Sequence, residues 1–239
     1  MNPPILYEDD HLLIINKPSG IVVNRAQSVK EPTIQDWMEK KLSNDQLSDE
    51  NKDFFDRAGI VHRIDKETSG ILLIAKAPEI FYALGRQFKA REIKKTYLAI
   101  VHGKLVPETG QINAPIGRLP WNPKRFGVVP GGKEAVTNYT VTQDVVLRGK
   151  STSYSLVELY PQTGRTHQIR VHLKYINHPI VGDYLYAGRK TSRLDRAGSA
   201  SRVMLHAWKI SFIHPKIGQP LAIESPIPDD MRRILNTEN

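Results

Sequence analysis

Short apolar runs separated by polar turns set the pattern at the N-terminus. Ile5-Leu6-Tyr7, Leu12-Leu13-Ile14-Ile15 and Ile21-Val22-Val23 are parted by Glu8-Asp9-Asp10 and by Lys17-Pro18-Ser19-Gly20, a spacing that predicts short strands. The period then changes. Ile34, Trp37, Met38 and Leu42 fall on one helical face, and Thr33 with Asp36 has the spacing of a capping box, so a short amphipathic helix is predicted from Thr33. Residues 43 to 57 carry Asp45, Asp49, Glu50, Asp53 and Asp56 among few apolar residues and read as a solvated acidic loop. Two apolar segments follow, Ala58-Gly59-Ile60-Val61 and Ile71-Leu72-Leu73-Ile74-Ala75, and hold a polar turn between them. Pro78 opens a helix whose Ile80, Phe81, Leu84 and Phe88 share a face. The basic run Arg86, Lys89, Arg91, Lys94, Lys95 leads into a strand from Thr96 to Val101, with Tyr97, Ala99 and Val101 on one face and Leu98 and Ile100 on the other.

Residues 107 to 133 are rich in Pro and Gly and bring Arg118, Trp121, Lys124, Arg125 and Phe126 together. A basic loop with aromatics suits stacking on unpaired bases and folding over a core edge equally. Ala135 to Val141 and Ser153 to Tyr160 are predicted strands across the turn Arg148-Gly149-Lys150. Ile169, Leu173 and Ile176 keep helical spacing, with His167, Arg170 and Lys174 on an adjacent polar face and a stop near Asn177-His178-Pro179. Residues 188 to 202 hold Arg189, Lys190, Arg193, Arg196 and Arg202 against only Asp195 and read as a basic loop, either in contact with phosphate or simply solvated. Met204 to Ile213 and Leu221 to Glu224 are strands, and Pro228-Asp229 opens a last short helix. With no internal repeat and no linker, one domain over residues 1–239 is expected.

Composition narrows the partners. Lys and Arg number 34 against 25 Asp and Glu, a formal charge of +9 that favours polyanions, nucleic acid first. Cysteine is absent, which removes disulfides, thiolate metal sites and cysteine nucleophiles together. The N-terminus lacks the basic-then-apolar pattern of a signal peptide, and no apolar run is long enough to span a bilayer, so a cytoplasmic protein with no membrane partner is the expectation, with a monomer as the default state.

The polar turn His62-Arg63-Ile64-Asp65-Lys66-Glu67-Thr68-Ser69-Gly70 packs cations, carboxylates and hydroxyls into one short stretch, and such turns are where a scaffold presents chemistry. Read alone, it is either a solvated connection or a site. Asp65 and Glu67, one residue apart, also have the composition of a carboxylate pair for cutting a glycosidic bond. The turn resembles the catalytic motif of the RluA family of RNA pseudouridine synthases, with Ile64 where the family usually has Leu. Lys95-Thr96-Tyr97, Gly164-Arg165-Thr166-His167-Gln168-Ile169-Arg170 and Leu205-His206-Ala207 resemble later motifs of that family in order, and Asn16 to Gly20 resembles its N-terminal motif.

The resemblance implies an α+β fold, a mixed, largely antiparallel central sheet with flanking helices, and isomerisation of uridine to pseudouridine in RNA. It implies Asp65 as the catalytic carboxylate, Arg170 as the cation that keeps it ionised beside a polyanion, and Tyr97 as the aromatic against the uracil. Arg63 becomes the residue that enters the RNA stack when the uridine is flipped out, Leu205 the apolar packing beneath the uracil, and His62, Arg165, His167, Lys94 and Lys95 further RNA contacts. No metal, cofactor or nucleotide is called for, and no His pair has the HExxH spacing. Many family members carry an N-terminal S4 domain; here the resemblance begins near Ile5, so none is expected. The wording of the Asp65 motif favours large-subunit ribosomal RNA as substrate, with tRNA second. An RNA-binding or ribosome-assembly factor on the same scaffold is the alternative of a different class, against which intact Asp65, Tyr97 and Arg170 argue.

Overall fold

Leu12 to Ile15 and Ile71 to Ala75 are apolar at every position because both become strands covered on two faces, each of these residues being at most 2% exposed. The computed structural model describes residues 2–27, 29–42, 51–146, 153–197 and 200–236. In chain order the first elements are β1 (Ile5–Glu8), β2 (Leu12–Lys17), α1 (Ile34–Glu39), α2 (Lys52–Asp56), β3 (Ser69–Ala75), α3 (Pro78–Lys89) and β4 (Lys94–His102). There follow β5 (Thr109–Asn113), β6 (Ile116–Leu119), β7 (Asn122–Val128), β8 (Val136–Val146), β9 (Ser153–Pro161), α4 (Gln168–Tyr175), α5 (Arg189–Ala197), β10 (Leu205–Ile213), β11 (Pro220–Glu224) and α6 (Asp229–Leu235). These form two compact units, Met1–Lys95 with Ala207–Ser225, and Thr96–His206 with Pro226–Asn239.

In the first unit the strand order is β1-β2-β3-β10, with β11 paired to β10. The strands β2 and β3 run antiparallel from Leu12↔Ala75 to Lys17↔Gly70, so the turn after β2 and the turn before β3 leave the sheet at the same end. Leu12 and Ile14 of β2 and Ile71, Leu73 and Ala75 of β3 share one core with Phe54, with Ile80, Phe81 and Leu84 of α3, and with Ile210 and Phe212. Alternate residues of each strand face that layer, as the two-residue period of a strand requires. At Thr33 the expected capping box is present: its hydroxyl accepts from the Asp36 amide and the Asp36 carboxylate accepts from the Thr33 amide.

In the second unit the order is β4-β9-β8-β5, with β6 and β7 as a separate hairpin. The ladders β1–β2, β2–β3, β10–β11, β4–β9, β5–β8, β8–β9 and β6–β7 are all antiparallel. The architecture is the mixed, largely antiparallel sheet with flanking helices expected from sequence. Among the described residues no helix is long and apolar enough to cross a membrane.

Three loop expectations need correction. The acidic stretch ends in a helix, α2, because Phe54 is 2% exposed and packs edge-on against Phe81 at 5.9 Å; residues 43–50 lie outside the described residues, as does the turn at 148–150. The Pro/Gly-rich stretch 107 to 133 contains three strands, β5, β6 and β7. Its prolines hid them: a two-stranded hairpin consists of edges, where a residue without an amide hydrogen is tolerated. The basic stretch 188 to 202 contains helix α5, tied inward by buried Asp195, whose carboxylate accepts from the Gly182 amide at 2.9 Å and lies 2.9 Å from His102 Nε2.

Candidate active site

In the first unit the Asp65 turn hangs from buried anchors. Ile64 and Thr68 are 5% and 2% exposed, while Asp65 between them is half-buried and Arg63 is exposed. The Thr68 amide donates to the Asp65 carbonyl at 3.1 Å and closes the turn. On its N-terminal side Ile60 bridges Ile74, and Gly59, at φ +72°, lies so close that a Cβ would meet the Ala75 carbonyl oxygen at 2.1 Å. Only glycine fits there.

The N-terminal turn clamps the same stretch. Lys17 is fully buried, and its ammonium donates to the carbonyls of Pro18 at 2.8 Å, Ile21 at 2.9 Å and Lys66 at 3.2 Å. Ser19 Oγ donates to the Glu67 carbonyl at 2.6 Å, and the Gly20 amide to the Lys66 carbonyl at 2.8 Å. Three donors therefore hold the two residues that follow Asp65. At the surface Lys66 pairs with Glu31 at 2.8 Å.

His62 is turned into the fold. Its Nε2 accepts from the Leu73 amide at 3.0 Å and its ring lies 5.1 Å from that of Phe88. Burial, with the charges of Lys95 and Arg57, pushes its pKa down to about 3, so it is neutral, with the hydrogen on Nδ1. Lys95 stands over the Phe88 ring at 5.8 Å, its pKa lowered by burial, whereas Lys94 is exposed.

In the second unit α4 begins at His167, which holds a left-handed φ of 56°. Gln168 fixes this entry: its carbonyl oxygen accepts from Thr163 Oγ1 at 2.7 Å and the Arg165 amide at 3.0 Å, and its amide donates to the Val136 carbonyl and Thr137 Oγ1, both at 3.0 Å. One turn on, buried His172 donates from Nε2 to the Ala114 carbonyl at 3.0 Å and accepts on Nδ1 from Thr137 Oγ1 at 2.9 Å. Its pKa is lowered by burial.

Arg170 does not lie on a solvated face. It is 3% exposed, and its Nε and Nη2 meet Asp183 Oδ2 and Oδ1 at 2.8 and 3.0 Å in a two-pronged pair. Asp183 is itself fixed, accepting from the amides of Leu185 and Tyr186 at 3.2 Å each. The guanidinium lies over the Tyr186 ring at 5.2 Å, and the Tyr186 hydroxyl is 2.8 Å from His167 Nδ1. Arg165 donates from Nε to the Glu134 carbonyl at 2.9 Å. Tyr97 is half-buried on β4 opposite Leu159, and Leu205, 3% exposed, opens β10.

His62, Arg63, Asp65, Lys94 and Lys95 thus belong to the first unit, and Tyr97, Arg165, His167, Arg170 and Leu205 to the second. Sequence reasoning placed Lys17 and Gln168 inside motifs without giving either a role, and gave none to His172, Asp183 and Tyr186. A signal for Asp183 was present, since it is the only acidic residue between Glu158 and Asp195, and a buried arginine on α4 requires a carboxylate.

The chain is similar to several known proteins. The family model for RNA pseudouridylate synthase matches residues 11–175. The ribosomal large subunit pseudouridine synthase D of Nitrosomonas europaea is 44% identical over 97% of this chain, which spans 64% of that protein; against the protein of the same name from Neisseria meningitidis serogroup A the chain spans 60%, at 38% identity. An uncharacterized RNA pseudouridine synthase of Bacillus subtilis is 39% identical over 98% of this chain and 72% of its own length. Among solved structures, human RNA pseudouridylate synthase domain containing 4 superposes with a TM-score of 0.72 at 25% identity, covering 98% of this chain and 92% of its own. The chain belongs to the RNA pseudouridylate synthase family.

Proposed function

We propose that the chain isomerises uridine to pseudouridine in structured RNA, with large-subunit ribosomal RNA as the substrate and tRNA as the second choice. The observation that carries this is the Asp65 turn: a half-buried carboxylate on a clamped loop, inside the segment matched by the family model. The names of the relatives from Nitrosomonas europaea and Neisseria meningitidis support the ribosomal substrate, and the +9 charge suits any RNA.

In this reading the bond from the base nitrogen to the ribose breaks, the uracil turns, and a bond from its carbon 5 replaces it. The hydrogen on carbon 5 leaves as a proton and the freed nitrogen gains one, so no oxidant or energy source is consumed. Asp65 serves as a carboxylate, either adding covalently or assisting loss of a proton from the sugar. A carboxylate among phosphates needs a cation to stay ionised; Arg170 is the group proposed for it, its orientation fixed by Asp183 and Tyr186. Tyr97 is assigned to the uracil face and to proton removal from carbon 5, Leu205 to apolar packing of the ring, and exposed Arg63 to the space left by the flipped base.

The test is release of tritium from RNA labelled at uracil carbon 5, with ribosomal and tRNA transcripts assayed separately and Asp65→Asn as the blank. Release by the wild type alone is expected from the ribosomal transcript. Release from neither RNA would refute the reaction, and release of free uracil would point to glycosidic hydrolysis.

A further inference from the structure

The β6–β7 hairpin resolves the two readings left open for its sequence. Phe126 takes the core role: it packs against a cluster of Ile116, Ala135, Val171 and Tyr186 and meets His167 edge-on at 5.9 Å. Trp121 does not. It occupies the two-residue turn between Leu119 and Asn122 and is 78% exposed, the most exposed large apolar side chain among the described residues. Most of its surface is therefore open to water.

Beside it a cation is held in place rather than left mobile. Arg118 is exposed, yet its guanidinium lies over the Phe126 ring at 5.0 Å and donates to the Pro123 carbonyl at 2.5 Å. The root of the hairpin is equally fixed. Arg125 donates to the Leu185 carbonyl and lies over the Tyr186 ring at 5.6 Å, and the Phe126 amide donates to the Tyr186 hydroxyl at 3.4 Å. Tyr186 is the ring against which Arg170 also lies. The hairpin and the proposed catalytic cation therefore share one support.

We propose that the hairpin tip is a docking site for an unpaired nucleobase of the RNA, Trp121 stacking on the base and Arg118 contacting a neighbouring phosphate. This rests on the reading that RNA is the substrate and deepens it. An exposed indole next to a fixed guanidinium on a chain of charge +9 matches single-stranded RNA, which offers a flat ring and an anion in alternation. Duplex RNA hides its ring faces in the stack. From Phe126 to Trp121 the chain spans roughly 16 Å at ~3.3 Å per residue, so the base gripped at the tip lies well away from the Tyr186 ring against which Phe126 packs and Arg170 lies. Its loss should appear in KM rather than in kcat.

The test uses the full chain with two fluorescent probes, a single-stranded oligoadenylate and a blunt RNA duplex of equal length. Trp121→Ala should weaken oligoadenylate binding about tenfold, Trp121→Phe should restore most of it, and neither should move duplex binding by more than about twofold. Arg118→Ala should lower the salt dependence of oligoadenylate binding by about one counterion. On the transcript that the wild type modifies, Trp121→Ala should raise KM by a similar factor. Wild-type affinity of Trp121→Ala for oligoadenylate would overturn the proposal, as would an equal loss on the duplex. If the wild type releases no tritium from any RNA while the oligoadenylate pattern holds, the isomerase reading falls and the docking site stands; if tritium is released and Trp121→Ala binds normally, the docking site alone falls.

Discussion

Replacing Lys17 by Met tests whether the Asp65 turn is built by a buried ammonium. Methionine keeps an unbranched apolar stem of similar length and removes the three hydrogen bonds to Pro18, Ile21 and Lys66. Two effects oppose each other. The Pro18 and Ile21 carbonyls lose the ammonium donor, at about 1–3 kcal/mol each where water does not replace it, while the Lys66 carbonyl keeps the Gly20 amide. Against that, the fold no longer has to desolvate an ammonium, which returns several kcal/mol. The first wins, because the site is lined by carbonyls that a thioether cannot satisfy and Lys17 is fully buried. A net loss of about 2–4 kcal/mol is expected, a large part of the ~5–15 kcal/mol by which a typical protein is stable. Urea unfolding followed by circular dichroism should show a lower midpoint with an unchanged slope. The Ser19 and Gly20 bonds to Glu67 and Lys66 remain, so the turn shifts rather than opens. A displacement of about 1 Å at Asp65 lowers kcat by roughly 10- to 100-fold, with KM for RNA little changed. Lys17→Arg should not rescue, since a planar fork does not match three carbonyls around one point. A Lys17→Met protein with the wild-type midpoint, or with the wild-type kcat, would refute this reasoning.

Two further outcomes are expected. Asp183→Asn leaves Arg170 facing an amide in a buried site, so the midpoint should fall by the equivalent of about 3–5 kcal/mol and tritium release should fall with it in the fraction that stays folded; full activity would separate Asp183 from the function of Arg170. His62 has a folded pKa of about 3, well below the ordinary value of 6.5, so between those values the unfolded chain binds a proton that the folded chain refuses, and stability is lost as pH falls from 6.5 toward 3. Between pH 7 and 5 the loss is about 1–2 kcal/mol, and His62→Gln, whose side-chain carbonyl can still accept from Leu73, should flatten that part of the pH profile; an equally steep profile in the variant would assign the acid sensitivity elsewhere.

What sequence could show followed the physics of each segment. β2, β3 and α3 were legible because their burial follows a period, two-faced in the strands and one-faced in the helix. The Asp65 turn was legible because its residue types are unusual together. The β6–β7 hairpin was not, since prolines at its edges and a turn of Pro120-Trp121 imitate a loop. Nor was the burial of Arg170, because helical periodicity sorts residues by type, and a charged residue is placed on the wet side unless its partner is known. The charge distribution carried that information at a longer range. Between Glu158 and Glu224 the chain has only two acidic residues, Asp183 and Asp195, amid many lysines and arginines. Both are buried, one on Arg170 and the other against His102 and the Gly182 amide. Surface carboxylates there would repel a polyanion; these two instead face inward, where a buried cation and a buried amide need them. In a strongly basic segment an isolated acid is therefore evidence of an internal partner, and the same scarcity leaves the segment with a net positive charge, which suits the polyanionic substrate proposed.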